Sequence, residues 1–258
     1  MILLASEAPR IGSTEIPVLV GGGLLFLFWL GMRLRGREIL PRGPAPTVPF
    51  RVIDVLAILV AYVFLQGMLM GLAAGMGIKS NPQIYMFSFL GPAGIALAAY
   101  VLALGKRPEH GPRALGILAG IGAWLAVFPL VVLTLVGWNE LLDAIGWSWE
   151  EQEVLTTLRE EPIPFFFAAV VFAPLCEEVL FRGLLFPAFK KRIGTGLAMV
   201  VTAFLFALVH WHLPTFPALF VLGLALAYVY ERTGTLAAPI TFHAIFNGWT
   251  FVGATAWS

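Results

Sequence analysis

Three ionisable side chains, Glu177, Glu178 and Arg182, stand inside an apolar run that extends from Ile163 to Phe189. No other feature constrains the fold of this chain so tightly. A run of that length can cross a bilayer, which takes about 20 apolar residues. Each charge near the centre of such a helix costs roughly 2.5–3.5 kcal/mol on insertion scales. A membrane helix with such charges turns them toward a protein interior and uses them there. Glu178 and Arg182 are four residues apart, so they share a helix face and can pair. Glu177 lies about 100° around the helix from its neighbour. The spacing predicts one carboxylate neutralised by Arg182 and another, Glu177, left free for chemistry.

The rest of the chain supplies the bundle. Charged residues are 12% of the 258 and hydrophobic ones 59%, whereas soluble domains carry about 25% charged residues. The expected fold is all-α: a polytopic membrane protein of about eight transmembrane helices, with the active site inside the bundle. The candidate spans are Ile16–Met32, Val55–Ile78, Ile84–Leu104, Leu115–Val136, Ile163–Phe189, Gly196–His210, Pro217–Tyr230 and Leu236–Ala256. One membrane domain covers 1–258: four N-terminal spans over 1–136, an acidic connection over 137–162, and a core over 163–258 that carries the polar motifs. In the acidic connection, Ser148 followed by Glu151 fits a capping box. Val154, Leu155 and Leu158 then make the apolar stripe of a short interfacial helix, stopped by Pro162.

Basic residues orient the spans. Arg33, Arg35, Arg37, Arg42 and Arg51 follow the first span, and Lys106, Arg107 and Arg113 follow the third. Lys190, Lys191 and Arg192 follow the fifth, and Arg232 follows the seventh. The positive-inside rule puts these loops in the cytoplasm and both termini outside, in a multi-pass cell-membrane protein. Met1–Thr14 lacks the basic region of a signal peptide, with only Glu7 and Arg10 charged. Gly67, Gly71 and Gly75, and likewise Gly116 and Gly120, are spaced for close helix packing. The single cysteine, Cys176, forms no intrachain disulfide and is read as a small apolar filler.

Three more polar groups fall in the late spans. His210 follows Phe206 by four residues, and His243 and Asn247 are four apart on one face. His110, in a cytoplasmic loop, and His212, just past a helix end, are set aside. With Glu177, these residues make a hydrolase-like set. A Glu or His can take a proton from water, and a His and an Asn can donate to a developing oxyanion. A carboxylate with two histidines is also a common catalytic zinc set. Single-helix depths place Glu177 about 20 Å from one end of its span, His210 about 20 Å along its own, and His243 about 10 Å along the last. The three can meet only near the midplane, and only if the limits Gly196–His210 of the sixth span are off or that helix is tilted.

Glu177-Glu178-x-x-x-Arg182, Phe206-x-x-x-His210 and His243-x-x-x-Asn247, about thirty residues apart, resemble the three-motif signature of the CAAX prenyl protease and bacteriocin-processing family. The resemblance covers about Ile163 to Thr250. It implies an intramembrane endopeptidase in which Glu177 and His210 activate water. It makes His243 and Asn247 the oxyanion site, with Glu178 and Arg182 in support. Members of that family are described both as metalloproteases and as metal-independent glutamate proteases. No obligatory cofactor is expected, since pairing Glu178 with Arg182 leaves few free ligands. The alternative is a divalent metal such as zinc, held by Glu177, His210 and His243. The implied partners are membrane lipid and a membrane-associated or lipidated peptide, not nucleic acid. A non-catalytic scaffold or bacteriocin-immunity protein of the same family is the competing reading. A transporter or proton relay is the third, though no inverted repeat is visible.

Overall fold

The apolar runs form helices packed around the charged stretch. The computed structural model describes residues 15–40, 47–77, 94, 113–147 and 162–256, and among them seven helices. We number these α1 Glu15–Leu34, α2 Val52–Gly75, α3 Arg113–Ala144, α4 Pro162–Ile193, α5 Thr195–Leu208, α6 Phe216–Thr233 and α7 Ala237–Ala256. Five are long and apolar enough to cross a membrane: α1, α2, α3, α4, and α6 with the short turn before it. α5 is a shorter apolar helix. α7 has 20 residues, a bilayer's length at about 1.5 Å each, and carries His243 and Asn247 among its apolar side chains.

The expected all-α membrane fold is what the described residues show. Some limits differ. α3 runs on to Ala144, so the connection expected from Gly137 starts later, and Asn139, Glu140 and Asp143 belong to the helix. No proline or glycine pair stops the helix there. Pro162 opens α4, a position where its missing N–H costs nothing. The third candidate span and the interfacial helix lie outside the described residues.

α3 packs against α1, α6 and α7, and α5 packs against α6. Glycines permit the closest of these approaches. A Cβ on Gly116 would lie 2.6 Å from the Thr235 methyl, and one on Gly120 would collide with the Ala238 carbonyl. Close packing is therefore the role of that pair. For Gly67, Gly71 and Gly75 the described residues supply no such partner. Nothing among the described residues lies within 4 Å of a Cβ built at any of them. Four-residue glycine spacing shows what a helix permits, and only the partner shows whether it is used.

Ion pairs gather the loops at one end of the bundle. Arg232, at the end of α6, lies 2.8 Å from Glu38, which also pairs with Arg33 at 3.3 Å. Lys190, near the end of α4, lies 2.6 Å from Glu231. The connections after the first, fifth and seventh spans thus meet at one end of the bundle. Gly194, with φ +78°, turns α4 directly into α5.

Gly120→Leu should force α3 from α7, lowering stability by about 1–3 kcal/mol. Gly71→Leu should change it little. Thermal unfolding in detergent checks the contrast.

Candidate active site

The central helix of the site is irregular for a local reason. α4 contains two π-helical stretches, Phe167–Phe172 and Val179–Leu185. Each is followed, one residue on, by a proline: Pro174 and Pro187. Proline offers no N–H, and its ring crowds the carbonyl four residues back. The ladder widens instead to five-residue bonds. The Ala173 N–H donates to the Ala168 carbonyl, and that of Phe186 to the Phe181 carbonyl. The first slip frees a carbonyl. Ala169 would be served by the N–H of Ala173, already taken, or by that of Pro174, which has none. Asn247 Nδ2 donates to this Ala169 carbonyl at 2.7 Å. The amide of α7 thus caps a break that proline makes in α4.

Glu177 and Glu178 lie on the α-helical segment between the two slips, Ala173–Glu178. Glu178 is fully buried, and Arg182 is 1% exposed. One carboxylate oxygen, Glu178 Oε1, accepts from Arg182 Nη1 at 2.9 Å and from His243 Nδ1 at 2.8 Å. The other Arg182 nitrogen, Nη2, donates to the Gly223 carbonyl at 3.0 Å. The expected pair is therefore present, and it is larger than its spacing suggests. Glu178 also fixes the ring of His243, with Nδ1–H toward the carboxylate and Nε2 outward.

Glu177 has its carboxylate turned the other way. Its Oε2 is buried with no hydrogen-bond partner in the protein. Two imidazole nitrogens face that oxygen: His243 Nε2 at 3.9 Å and His210 Nε2 at 4.0 Å. His210 reaches it because α5 stops at Leu208, two residues earlier than the expected span end. The chain turns there through Trp211, a non-glycine residue at φ +50°. Backbone in that region is costly for a bulky side chain. Trp138 Nε1 holds the loop by donating to the Leu213 carbonyl at 3.0 Å. His210 Nδ1 lies 2.7 Å from the Phe206 carbonyl. A carbonyl only accepts, so Nδ1 carries the hydrogen, and Nε2 of the neutral ring is left as an acceptor.

The structure thus brings Glu177, His210 and His243 together, with Glu178 and Arg182 behind them. Asn247 stands one turn beyond His243 on α7, bonded to α4. Phe206 is the wedge between these groups. Its ring lies 4.9 Å from that of His210, 5.8 Å from that of His243, and 4.6 Å from the guanidinium carbon of Arg182. Cys176 is buried in the core, as expected of a filler. His212 is a turn residue whose Nδ1 lies 3.0 Å from the Thr215 hydroxyl oxygen, and His110 lies outside the described residues.

A cavity of about 470 Å³ opens beside Glu177 and His210. α2 contributes Tyr62 and Gln66 to its lining. Sequence reasoning passed over both. The available signal was a tyrosine and an amide four residues apart in an otherwise apolar span.

The same geometry bears on the zinc alternative. Donors around a tetrahedral zinc with bonds of about 2.0–2.2 Å sit about 3.4 Å apart. The imidazole nitrogens stand farther than that from the carboxylate oxygen, at 3.9 and 4.0 Å. Among the described residues, no group of three His, Cys, Asp or Glu side chains is arranged to hold a metal ion.

Comparison with known proteins agrees with the motif resemblance. Residues 159–249 match the family described as type II CAAX prenyl endopeptidase Rce1-like. The chain is 32% identical over 107 residues to the membrane-embedded CAAX protease MroQ of Staphylococcus aureus (strain USA300), covering 39% of this chain and 43% of that protein. It is 28% identical over 105 residues to the putative membrane peptidase YdiL of Bacillus subtilis (strain 168), covering 41% of this chain and 42% of that protein. The matched stretch thus spans less than half the length of either relative. No solved structure matches the chain.

Arg182→Met removes the counter-charge of a buried carboxylate. It should cost about 3–5 kcal/mol, read as thermal unfolding of the purified protein in detergent.

Proposed function

We propose, from the family match over residues 159–249, that this chain is an intramembrane endopeptidase. It hydrolyses a peptide bond in a membrane-associated substrate, with a prenylated peptide as the first candidate. The supporting observation is one buried carboxylate oxygen, Glu177 Oε2, faced by the Nε2 atoms of His210 and His243 at 4.0 and 3.9 Å. A gap of 4.0 Å between two acceptors fits one water at about 2.8 Å from each. That water gives a proton to Glu177 as its oxygen attacks the carbonyl carbon. The carbonyl π pair moves onto oxygen. Collapse then breaks the C–N bond, and the amine leaves with the proton held by Glu177.

Glu178 and Arg182 are positioning residues in this reading. Glu178 orients His243 through the 2.8 Å bond to Nδ1. Because that bond uses the Nδ1 hydrogen, His243 can donate from Nε2 only as an imidazolium. The resemblance assigns His243 and Asn247 to the oxyanion site. Neither role needs a bound metal. The protein would lie in the cell membrane with its basic loops in the cytoplasm and its termini outside. The ion pairs that gather the loops after the first, fifth and seventh spans support this arrangement.

The test is cleavage of a farnesylated CAAX peptide by the purified full chain in detergent, with and without a chelator, beside Glu177→Ala. Cleavage should survive chelation and fall by about 10²–10⁴ in the variant, the usual contribution of a general base. Equal rates in the two proteins would remove Glu177 as the base. Loss on chelation with recovery on added zinc would make Glu177, His210 and His243 metal ligands.

A further inference from the structure

The cavity beside Glu177 has a polar group that the reading above leaves unused. Tyr62 lies on α2, outside residues 159–249 and far from the three motifs in sequence. It is 6% exposed and lines the cavity together with Glu177 and His210. Its hydroxyl is buried and has no hydrogen-bond partner in the protein. A buried hydroxyl without a partner is costly, and a partner that enters the cavity lined by Tyr62 would satisfy it. Leu59 and Val63 on the same helix are apolar, and Gln66, four residues on in the same cavity lining, forms no hydrogen bond with the hydroxyl.

The chemistry of the wall narrows that use. Glu177 and the Nε2 atom of neutral His210 accept hydrogen bonds and suit the attacking water. An electrophilic carbonyl needs the opposite: a neutral donor that does not compete for the proton. Asn247 is tied to the Ala169 carbonyl by Nδ2 and does not line this cavity. A phenol is a single, stiff donor with two side-chain torsions, and Tyr62 lines the same cavity as the carboxylate.

We propose that the Tyr62 hydroxyl is a hydrogen-bond donor to the carbonyl oxygen of the scissile peptide, and to the negative charge that develops there. The inference rests on the endopeptidase reading and deepens it. In the attack step, water's oxygen bonds the carbonyl carbon and its proton goes to Glu177. The displaced π pair settles on the oxygen that Tyr62 contacts. The phenol keeps its proton throughout. α2 thereby completes a site whose other groups come from α4, α7 and the turn after α5.

The test compares the full chain with Tyr62→Phe in detergent on the farnesylated CAAX peptide. Two uncleavable analogues of it serve as probes: a phosphinate at the scissile position, and a methyleneamine that lacks the carbonyl oxygen. Removing one oxyanion donor lowers kcat by about 10²–10³. The expected result is a fall of that size with KM nearly unchanged, and a parallel loss of phosphinate affinity. The methyleneamine should bind both proteins alike. Unchanged kcat and phosphinate affinity would overturn the proposal. So would equal weakening of both analogues with a lowered melting temperature, which marks a packing role. If the unmodified protein neither cleaves the peptide nor favours the phosphinate, the endopeptidase reading itself fails and this inference goes with it. Should Tyr62→Phe not fold, a fluorinated tyrosine at position 62 keeps the ring and acidifies the phenol. The kcat profile should then gain a falling alkaline limb, and a profile identical to wild type would overturn the proposal.

Discussion

A carboxylate with no exposed surface must be paired or neutralised, and the arrangement around Glu178 follows from that. Burying one ion costs several kcal/mol unless partners replace its water. Arg182 supplies the charge from the next turn of α4, and His243 supplies a second hydrogen bond from α7. Arg182 passes the constraint on to α6 through the Gly223 carbonyl. Three helices are thereby set against one another at a fixed register. Glu177, the adjacent residue, is carried about 100° around the helix, where its oxygen faces two imidazoles. Support and chemistry are separated by a 100° step along one helix.

Proline has a comparable influence on the same helix. Pro174 and Pro187 lie in α4, where each forces the hydrogen-bond ladder to slip. π-helical turns of this kind recur at functional sites. Here the consequence can be followed atom by atom, from the missing N–H of Pro174 to the freed Ala169 carbonyl and the amide of Asn247. The hydrogen bond ties α7 to α4 just above His243. Asn247 therefore has a structural task in addition to the role that the motif resemblance gives it.

Much of the site was legible in the sequence because it is written in helical spacing. The Glu178–Arg182 pair, the freedom of Glu177 and the shared face of His243 and Asn247 all follow from 3.6 residues per turn. Convergence of Glu177, His210 and His243 was legible only as a condition, that the sixth span have other limits or its helix be tilted. Hydropathy cannot see that end, because Val209 and Trp211 are as apolar as the helix before them. Tyr62 left only a weak signal, its four-residue spacing from Gln66. A tyrosine in a span reads as an interfacial or core aromatic until the rest of the cavity is known. The glycines teach the same lesson in reverse: Gly120 meets a partner, and Gly71, at the same spacing, meets none among the described residues.

The sequence alone determined that this chain is a bundle of apolar helices with a few expensive charges turned inward. That follows because hydrophobic length and helical period are local properties of the chain. It also determined which carboxylate would be neutralised, since both members of that pair lie on one helix. Tertiary structure decided the rest: that Glu178 is shared with His243, that the turn at Trp211 brings His210 to Glu177, and that α2 closes the cavity with Tyr62. Each of these joins residues distant in sequence, and their meeting depends on where helices stop and how closely they pack.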